Sequence, residues 1–464
     1  MKGGDWARKS AFSWSFSGNV PGVGGSNVVV PILRRAFGTW STATPLLRFA
    51  QVTNGADIRI NVGLLGPNIA GLTTPDGRQI TITNGFAFAP TAASGSPSLL
   101  NVVTHEIGHA LGLLHANTGN SIMFPTTSAQ ETLSRDDFDG IRALYGWPGQ
   151  TPLNFTTEQA PALCVCGDTL AMVWRGGGDN RNIWIATSDD GLHWTQQRAF
   201  TDVGTIGGPA LAWDGSRLWM VWRGTGNDQG LYFKTSRDFF VHDNPAQAPL
   251  SFAGSSHGPR IAIVRGVPTM VWKGINNDHQ IYFSEFRSGR WQGQQIIPGV
   301  GTAAAPAICQ DINGGIRLLW RGVPNDQALY TTAAPPGSYA WAPQSTLTWY
   351  LLGNGTTVPV SSGTAGSWGG PSLTVETSQP NFTTSGESVI HAAWRGIDGD
   401  QGLYFSQLAR DQTGAAGESL NWSSQAKIPN VGSSQPPSIV SFKRQLVLAW
   451  KGVENDTRVY AIST

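Results

Sequence analysis

Three histidines and one glutamate stand within the run HEIGHALGLLH, His105 to His115. If this segment is helical, His105 and His109 lie one turn apart on a single face, so both imidazoles can point at one metal ion. Glu106 then sits beside them, where its carboxylate can take a proton from a metal-bound water whose pKa has fallen to about 7. That arrangement makes a hydrolytic nucleophile without serine or cysteine. His115 is too far along to share the helical face. Gly112 can end the helix in a left-handed conformation and swing the chain back, bringing His115 in as third ligand. The expectation is one catalytic Zn2+ held by His105, His109 and His115, with Glu106 as catalytic base. The plain alternative is a helix whose histidines pack or face solvent. It suits an isolated HExxH far better than the longer pattern with Gly112 and His115 in register.

With these residues the sequence resembles the metzincin clan of zinc peptidases, whose signature HExxHxxGxxH is followed by a methionine-containing turn. Ser121-Ile122-Met123-Phe124-Pro125 is similar to that turn, and the resemblance implies that Met123 forms an apolar floor beneath the zinc. Within the clan the likeness is to the matrixins, the matrix metalloproteinase family. Ala36-Phe37-Gly38-Thr39-Trp40-Ser41 and Thr44-Pro45-Leu46 resemble the family's first helix and the start of its second strand. Leu133-Ser134-Arg135-Asp136-Asp137 and Gly140-Ile141-Arg142-Ala143-Leu144-Tyr145-Gly146 resemble its last helix. The resemblance implies that Asp136 and Asp137 tie that helix to the methionine turn. By themselves they are acids in a first helical turn, favoured there by the macrodipole. The likeness runs over residues 10–147 and implies cleavage of protein or peptide substrates.

Departures from the family pattern narrow what can be carried over. Apart from the metal motif there is no histidine before His193, which speaks against the structural zinc of vertebrate matrixins. Asp76 is the single acid between Asn61 and Leu100, which speaks against the family's calcium loops, since calcium wants several carboxylate oxygens. The cysteine that keeps matrixin zymogens latent has no counterpart. Only seven residues separate Pro125 from Leu133, so substrate preference does not transfer. No tyrosine follows closely on Met123, unlike the astacin and serralysin branches, and oxyanion stabilisation falls mainly to the metal.

The elements that must position these groups follow from periodicity. Residues 11–16 alternate as a strand, 29–41 read as helix, and Ile58-Arg59-Ile60-Asn61-Val62 and Ile80-Thr81-Ile82-Thr83 alternate again. Leu99 to Leu114 is the expected metal-bearing helix. The metzincin resemblance implies an edge strand above the cleft that pairs with substrate backbone by strand addition, for which the segment from about Ile80 to Phe88 is the candidate, the alternative being a plain sheet edge. The fold expected is an α+β, metzincin-like catalytic domain: a twisted sheet with an active-site helix.

Beyond residue 150 one motif is written six times, centred on Trp174-Arg175-Gly176, Trp222-Arg223-Gly224, Trp272-Lys273-Gly274, Trp320-Arg321-Gly322, Trp394-Arg395-Gly396 and Trp450-Lys451-Gly452. In the last five, Asp228, Asp278, Asp326, Asp400 or Asp456 follows, with an aliphatic-tyrosine pair behind it; the first copy has Asn180 and Ile183-Trp184. Strand, polar turn and strand would read this way. A proline about twelve residues upstream marks an inner strand and a later tryptophan such as Trp194, Trp291 or Trp422 an outer one. Four strands per unit at a period of about fifty argue for an all-β propeller with six blades. The last copy stops without an outer strand, and Leu153-Asn154-Phe155 could supply it by closing the ring. The repeats resemble those of carbohydrate-binding propeller lectins, and Thr187 to Trp194 resembles the Asp-box turn of sialidases, structural where it is known. The candidate glycan-binding residues are Trp174, Arg175, Trp222, Arg223, Asp228, Trp272, Asp278, Trp320, Arg321, Asp326, Trp394, Arg395, Asp400, Trp450 and Asp456. For any one of them, packing and turn capping are the simpler account. Several weak pockets would still give multivalent adhesion to glycans or glycoproteins.

Three other readings stay open: a lectin whose peptidase half is inert, a propeller that binds protein as a haemopexin module does, and a glycosidase. The last would need arginines and carboxylates on the propeller axis that the sequence does not locate. The chain of 464 residues has room for separate cores and divides into 1–147, the peptidase domain, 148–152, a linker, and 153–464, the propeller. A formal charge of +1 with 13% charged residues gives no electrostatic case for nucleic acid, and no run approaches a membrane span. The start Met1-Lys2-Gly3-Gly4 has no apolar signal core. The family resemblance points to an extracellular protein, while the sequence leaves cytosolic storage open. Three cysteines give no disulfide framework, and Asn354-Gly355-Thr356 is a glycosylation sequon.

Overall fold

Alternating apolar residues place strand β1 (Ala11–Ser17) inside the N-terminal sheet, with Phe12 and Trp14 turned into the core. Helix α1 (Ser26–Ser41) buries Val29, Leu33, Ala36, Phe37 and Trp40, the stripe expected of one helical face. It is followed by β2 (Arg48–Gln51), β3 (Ile58–Gly63), β4 (Gly71–Thr73) and β5 (Gln79–Thr83). The sheet order is β2-β1-β3-β5-β4. All pairs are parallel except β4 with β5. Helix α2 (Leu99–Ala110) packs against α1 and beneath β4 and β5, and α3 (Arg135–Tyr145) ends the domain. The computed structural model describes residues 11–41, 43–44, 46–352, 359–377, 388–410, 420–423, 425–443 and 445–464. The sequon at Asn354 and the start Met1 to Gly4 lie outside the described residues.

One expectation is corrected here. Ile80 to Thr83 belong to β5, which is bonded on both sides, to β3 and to β4, so its backbone groups are already used. The edge on this side of the sheet is β4, a three-residue strand too short to show a period, and residues 84–88 carry no strand.

The remaining chain forms six sheets, each built on four strands, around a ring: an all-β propeller of six blades. Their innermost strands, Ala162–Cys166, Ala210–Trp213, Arg260–Val264, Ala307–Gln310, Ser372–Thr377 and Ser438–Phe442, contact one another in cyclic order, the last meeting the first. Closure comes from β6 (Thr151–Thr156), which pairs antiparallel with Arg458–Ser463 as the outer strand of the sixth blade. The strand starts two residues before residue 153, where the propeller was expected to begin. Between blades four and five an added hairpin, Thr348–Leu352 with Pro359–Thr364, accounts for the longer spacing of the repeats there.

The two units meet closely. Leu46 joins the core of the sixth and fifth blades with Phe405 and Leu448, and Trp147 meets Phe405 edge-on at 5.4 Å. Arg48 of β2 reaches the fifth blade, its guanidinium 2.7 Å from Glu376, which in turn lies 2.8 Å from His391.

Candidate metal centre and its cleft

Helix α2 starts where the Ser98 hydroxyl accepts from the Asn101 amide, an N-cap. It ends at Ala110, and Gly112 takes φ +99°, a backbone conformation that side chains resist. The reversal carries His115 back over the last turn. The rings of His105, His109 and His115 then lie 4.6 to 5.2 Å apart, centre to centre. One nitrogen from each falls within 4.8 Å of the others, a group that could hold a metal ion.

Two of the rings are oriented from behind. His105 Nδ1 is 2.8 Å from the Ile122 carbonyl and His109 Nδ1 is 2.8 Å from that of Leu113. A carbonyl accepts only from a protonated nitrogen, so each Nδ1 carries hydrogen and each Nε2 keeps a free lone pair, the usual support of a metal-bound histidine. Nε2 of His109 and Nε2 of His115 face each other at 3.1 Å. Burial lowers the pKa of all three, that of His105 to about 4. Burial thus favours the neutral imidazoles that metal ligation requires. The donor set and its orientation fit zinc.

Glu106 is buried beside them. Its Oε2 accepts from the Thr73 hydroxyl at 2.7 Å, and the same hydroxyl lies 2.9 Å from the Glu106 carbonyl oxygen. Burial pushes the carboxyl up to about 7 against the opposing pull of Thr73. Gly71 makes this contact between edge strand and helix feasible, because a Cβ there would stand 2.7 Å from Glu106 Cγ. Met123 lies buried under the helix, held by Asp137 of α3. The Asp137 carboxylate accepts from the Ser121 hydroxyl at 2.5 Å, the Ile122 amide at 2.9 Å, the Met123 amide at 3.2 Å and the Ser134 amide at 2.8 Å. Asp136 instead accepts from Thr118 at 2.5 Å, upstream of the turn. A cleft of about 770 Å³ opens over the histidines, with β4 as one wall and Phe124 to Thr127 as another.

Residues 5–146 match the sequence profile of the family described as Matrixin. This part of the chain is a matrixin domain. It is 33% identical over 159 residues to macrophage metalloelastase of Rattus norvegicus, covering 30% of this chain and 33% of that protein. It is 34% identical over 157 residues to interstitial collagenase of Bos taurus, covering 28% and 31%. Metalloendoproteinase 2-MMP of Arabidopsis thaliana is 29% identical over 182 residues, covering 34% and 48%. The chain thus spans about a third to a half of the length of these curated relatives. The matrixin domain is joined to a six-bladed propeller.

In the propeller the structure divides the repeated residues by burial. Trp174, Trp222, Trp272, Trp320, Trp394 and Trp450 are fully buried, so no ring face is available to a sugar. The last five of them stack on Tyr232, Tyr282, Tyr330, Tyr404 and Tyr460 at 6.1 to 6.3 Å. Asp228, Asp278, Asp326, Asp400 and Asp456 each accept from the hydroxyl of that tyrosine and from an amide two residues on. The tryptophans are thus core, which corrects the expectation that they contact glycans directly, and the aspartates cap turns. Arg175, Arg223, Arg321 and Arg395 differ: in each, Nε is buried without a hydrogen-bond partner. The Asp-box turn is likewise local, Asp190 accepting from the Leu192 and His193 amides at 2.8 Å.

Several contributors escape a reading of the motifs. Thr73 has no local mark, since only the fold brings β4 onto Glu106. Glu131 accepts from the Ala92 amide and the Ser98 hydroxyl at 2.6 and 2.7 Å, fastening the loop after the methionine turn to the start of α2. A third signal was legible: Ser or Thr stands four residues before each inner-strand proline, at Thr157, Thr205, Ser255, Thr302, Ser367 and Ser433. All six are fully buried. Each donates its amide to the strand-two to strand-three turn of the preceding blade, such as Ser255 to the Gln229 carbonyl at 2.8 Å. These segments join blade to blade and surround one end of the propeller axis.

Proposed function

We propose that the protein is a zinc-dependent endopeptidase whose propeller brings it to glycosylated protein targets, the chain dividing as the sequence suggests into 1–147, 148–152 and 153–464, with the first propeller strand starting inside that linker at Thr151. The observation that carries the reading is the convergence of His105, His109 and His115 beside a buried Glu106 at the foot of a long cleft.

His105, His109 and His115 would hold one zinc through their Nε2 atoms, with Met123 as the apolar floor. Bound zinc supplies a Lewis acid and a water of lowered pKa. A substrate chain lies along the free edge of β4 by strand addition, which sets a peptide bond across the histidines. Glu106 takes the proton of the attacking water and returns it to the leaving amine; a carboxyl titrating near neutrality suits both transfers. Thr73 fixes the carboxylate so that one oxygen faces the cleft. Asp137 acts one step back, holding the turn that carries Ile122 and Met123 and through Ile122 the ring of His105.

The relatives' printed names, metalloelastase and collagenase, support protein substrates. Among the described residues no helix is long and apolar enough to cross a membrane. Two measurements test the reading. Glu106→Ala should keep zinc and lose cleavage of unfolded casein, and retained cleavage would remove Glu106 from the chemistry. A glycan array probed with the inactive variant tests targeting, and silence there together with capture of deglycosylated protein would favour a haemopexin-like platform.

A further inference from the structure

The six connecting segments that end in the inner-strand prolines enclose a cavity of about 500 Å³ on the propeller axis. Its buried Ser and Thr residues are constant, but the side chains between them and the prolines are not, and these give the cavity its character. Arg223 and Arg321, from blades two and four, reach it from the ends of their second strands, and Arg260 reaches it from the start of the third blade's inner strand. His257 stands among them, and Trp368, 40% exposed, forms part of the lining with Arg395 stacked on its ring at 4.5 Å.

Among the described residues no aspartate, glutamate or tyrosine lines this space. Asp228 and Asp326 lie near Arg223 and Arg321 but spend their oxygens on tyrosine hydroxyls and turn amides. Arg223 is 8% exposed and donates weakly to the Ser256 and Asp228 carbonyls at 3.4 and 3.3 Å, while its Nε and that of Arg321 have no partner. Arg260 donates only to the neighbouring Pro259 carbonyl, at 3.1 Å. The charges crowd His257, whose pKa falls to about 4 through burial and then through Lys273, Arg223, Arg260 and Arg321. A guanidinium Nε buried without a partner is an unsatisfied polar group, a cost that a matching anion removes. Neighbouring segments of the lining touch: a Cβ on Gly258 would stand 2.2 Å from the Gly208 carbonyl oxygen.

We infer that this axial cavity binds the carboxylate or sulfate group of an acidic saccharide, with Arg223, Arg260 and Arg321 holding the anion and Trp368 offering a face to the sugar ring. The inference rests on the reading of the propeller as a glycan-binding module and narrows it to one site and one charge class. Planar guanidiniums match both oxyanions with paired N–H donors. A lining without carboxylates has no general acid to cleave a glycosidic bond, so the site holds its ligand unchanged.

Calorimetry on the full chain provides the test, using a sulfated heparin disaccharide, a glucuronate-terminated disaccharide, sodium sulfate and neutral lactose. At least one acidic disaccharide should bind tenfold or more tighter than lactose, weaken as salt rises from 0.05 to 0.5 M, about a threefold fall in screening length, and be displaced by sodium sulfate. Arg321→Gln and Arg260→Gln should each weaken binding tenfold or more, while casein cleavage stays unchanged. Equal affinity for lactose, or full affinity in both arginine variants, would overturn the site. Should a variant not fold, the comparison of acidic with neutral sugar and the salt dependence decide on the native chain. Binding of neutral glycans alone on the array would overturn this site and leave the glycan role standing; binding of no glycan would overturn both.

Discussion

Thr73 and Glu106, thirty-three residues apart, share a 2.7 Å hydrogen bond that locks the edge strand of the sheet to the metal-bearing helix. The bond favours the charged carboxylate, while burial favours the neutral acid and prevails, leaving the group near 7. Thr73→Val removes the opposing pull, so the acid limb of the activity profile should move to higher pH. A hydrogen bond to a charged group contributes about 1.5 to 3 kcal/mol, so kcat/KM near pH 6 should fall by roughly tenfold or more. A profile that superimposes on the native one would detach Thr73 from the base.

Asp137 accepts four hydrogen bonds from a buried position. Asp137→Asn keeps the shape but turns one acceptor into a donor facing donors. Its outer-shell place predicts zinc affinity lower by about 10- to 100-fold, together with a lower melting temperature of the metal-free protein. Competition with a chromophoric chelator measures the first and calorimetry the second.

The pH dependence of the metal-free protein contains two opposed contributions. The pKa of His105 falls from 6.5 in the unfolded chain to about 4 in the fold. The unfolded state thus binds the proton more readily, and stability is lost as pH drops from about 6.5 toward 4. Glu106 moves the other way, from 4.5 to about 7, so it adds stability at low pH that disappears as pH rises through that window. Glu106→Gln removes the second contribution. In chelator, the urea midpoint of that variant should decline from pH 7 to pH 4.5 more steeply than that of the native chain; equal slopes would show that these burial effects are absent.

Trp320 is fully buried and stacks on Tyr330 at 6.2 Å, and Asp326 accepts from the Tyr330 hydroxyl at 2.8 Å. Trp320→Ala should therefore destabilise the propeller by about 3 to 5 kcal/mol, and Asp326→Asn by roughly 1 kcal/mol. Denaturant midpoints check both. A Trp320→Ala chain of native stability that loses only sugar binding would restore a direct role for the tryptophan.

The metal centre was legible because its geometry is local. His105 and His109 are fixed by one helical turn, and Gly112 announces the reversal that returns His115, so spacing alone carried the constellation. The six blades were legible because a motif repeated six times has one structural explanation. What stayed hidden depends on distant pairing. The strand β4 is three residues long and shows no period, so the longer alternation at Ile80 to Thr83 looked like the edge. Thr73 and Glu131 act only once the sheet and the loop fold onto α2. The repeated tryptophans have a composition that suits sugars as well as cores, and burial decides between these. The axial arginines were written in the sequence, but neither Arg260 nor Trp368 belongs to the repeated motif, and only ring closure brings them together.

Zinc content measured together with proteolysis, before and after chelation, tests the central claim most directly. One zinc per chain, casein cleavage that ends when the metal is stripped, and recovery when zinc is returned are the predicted results. A chain purified without zinc that cannot take it up, or cleavage indifferent to the chelator, would contradict the assignment of His105, His109 and His115 as a catalytic metal site.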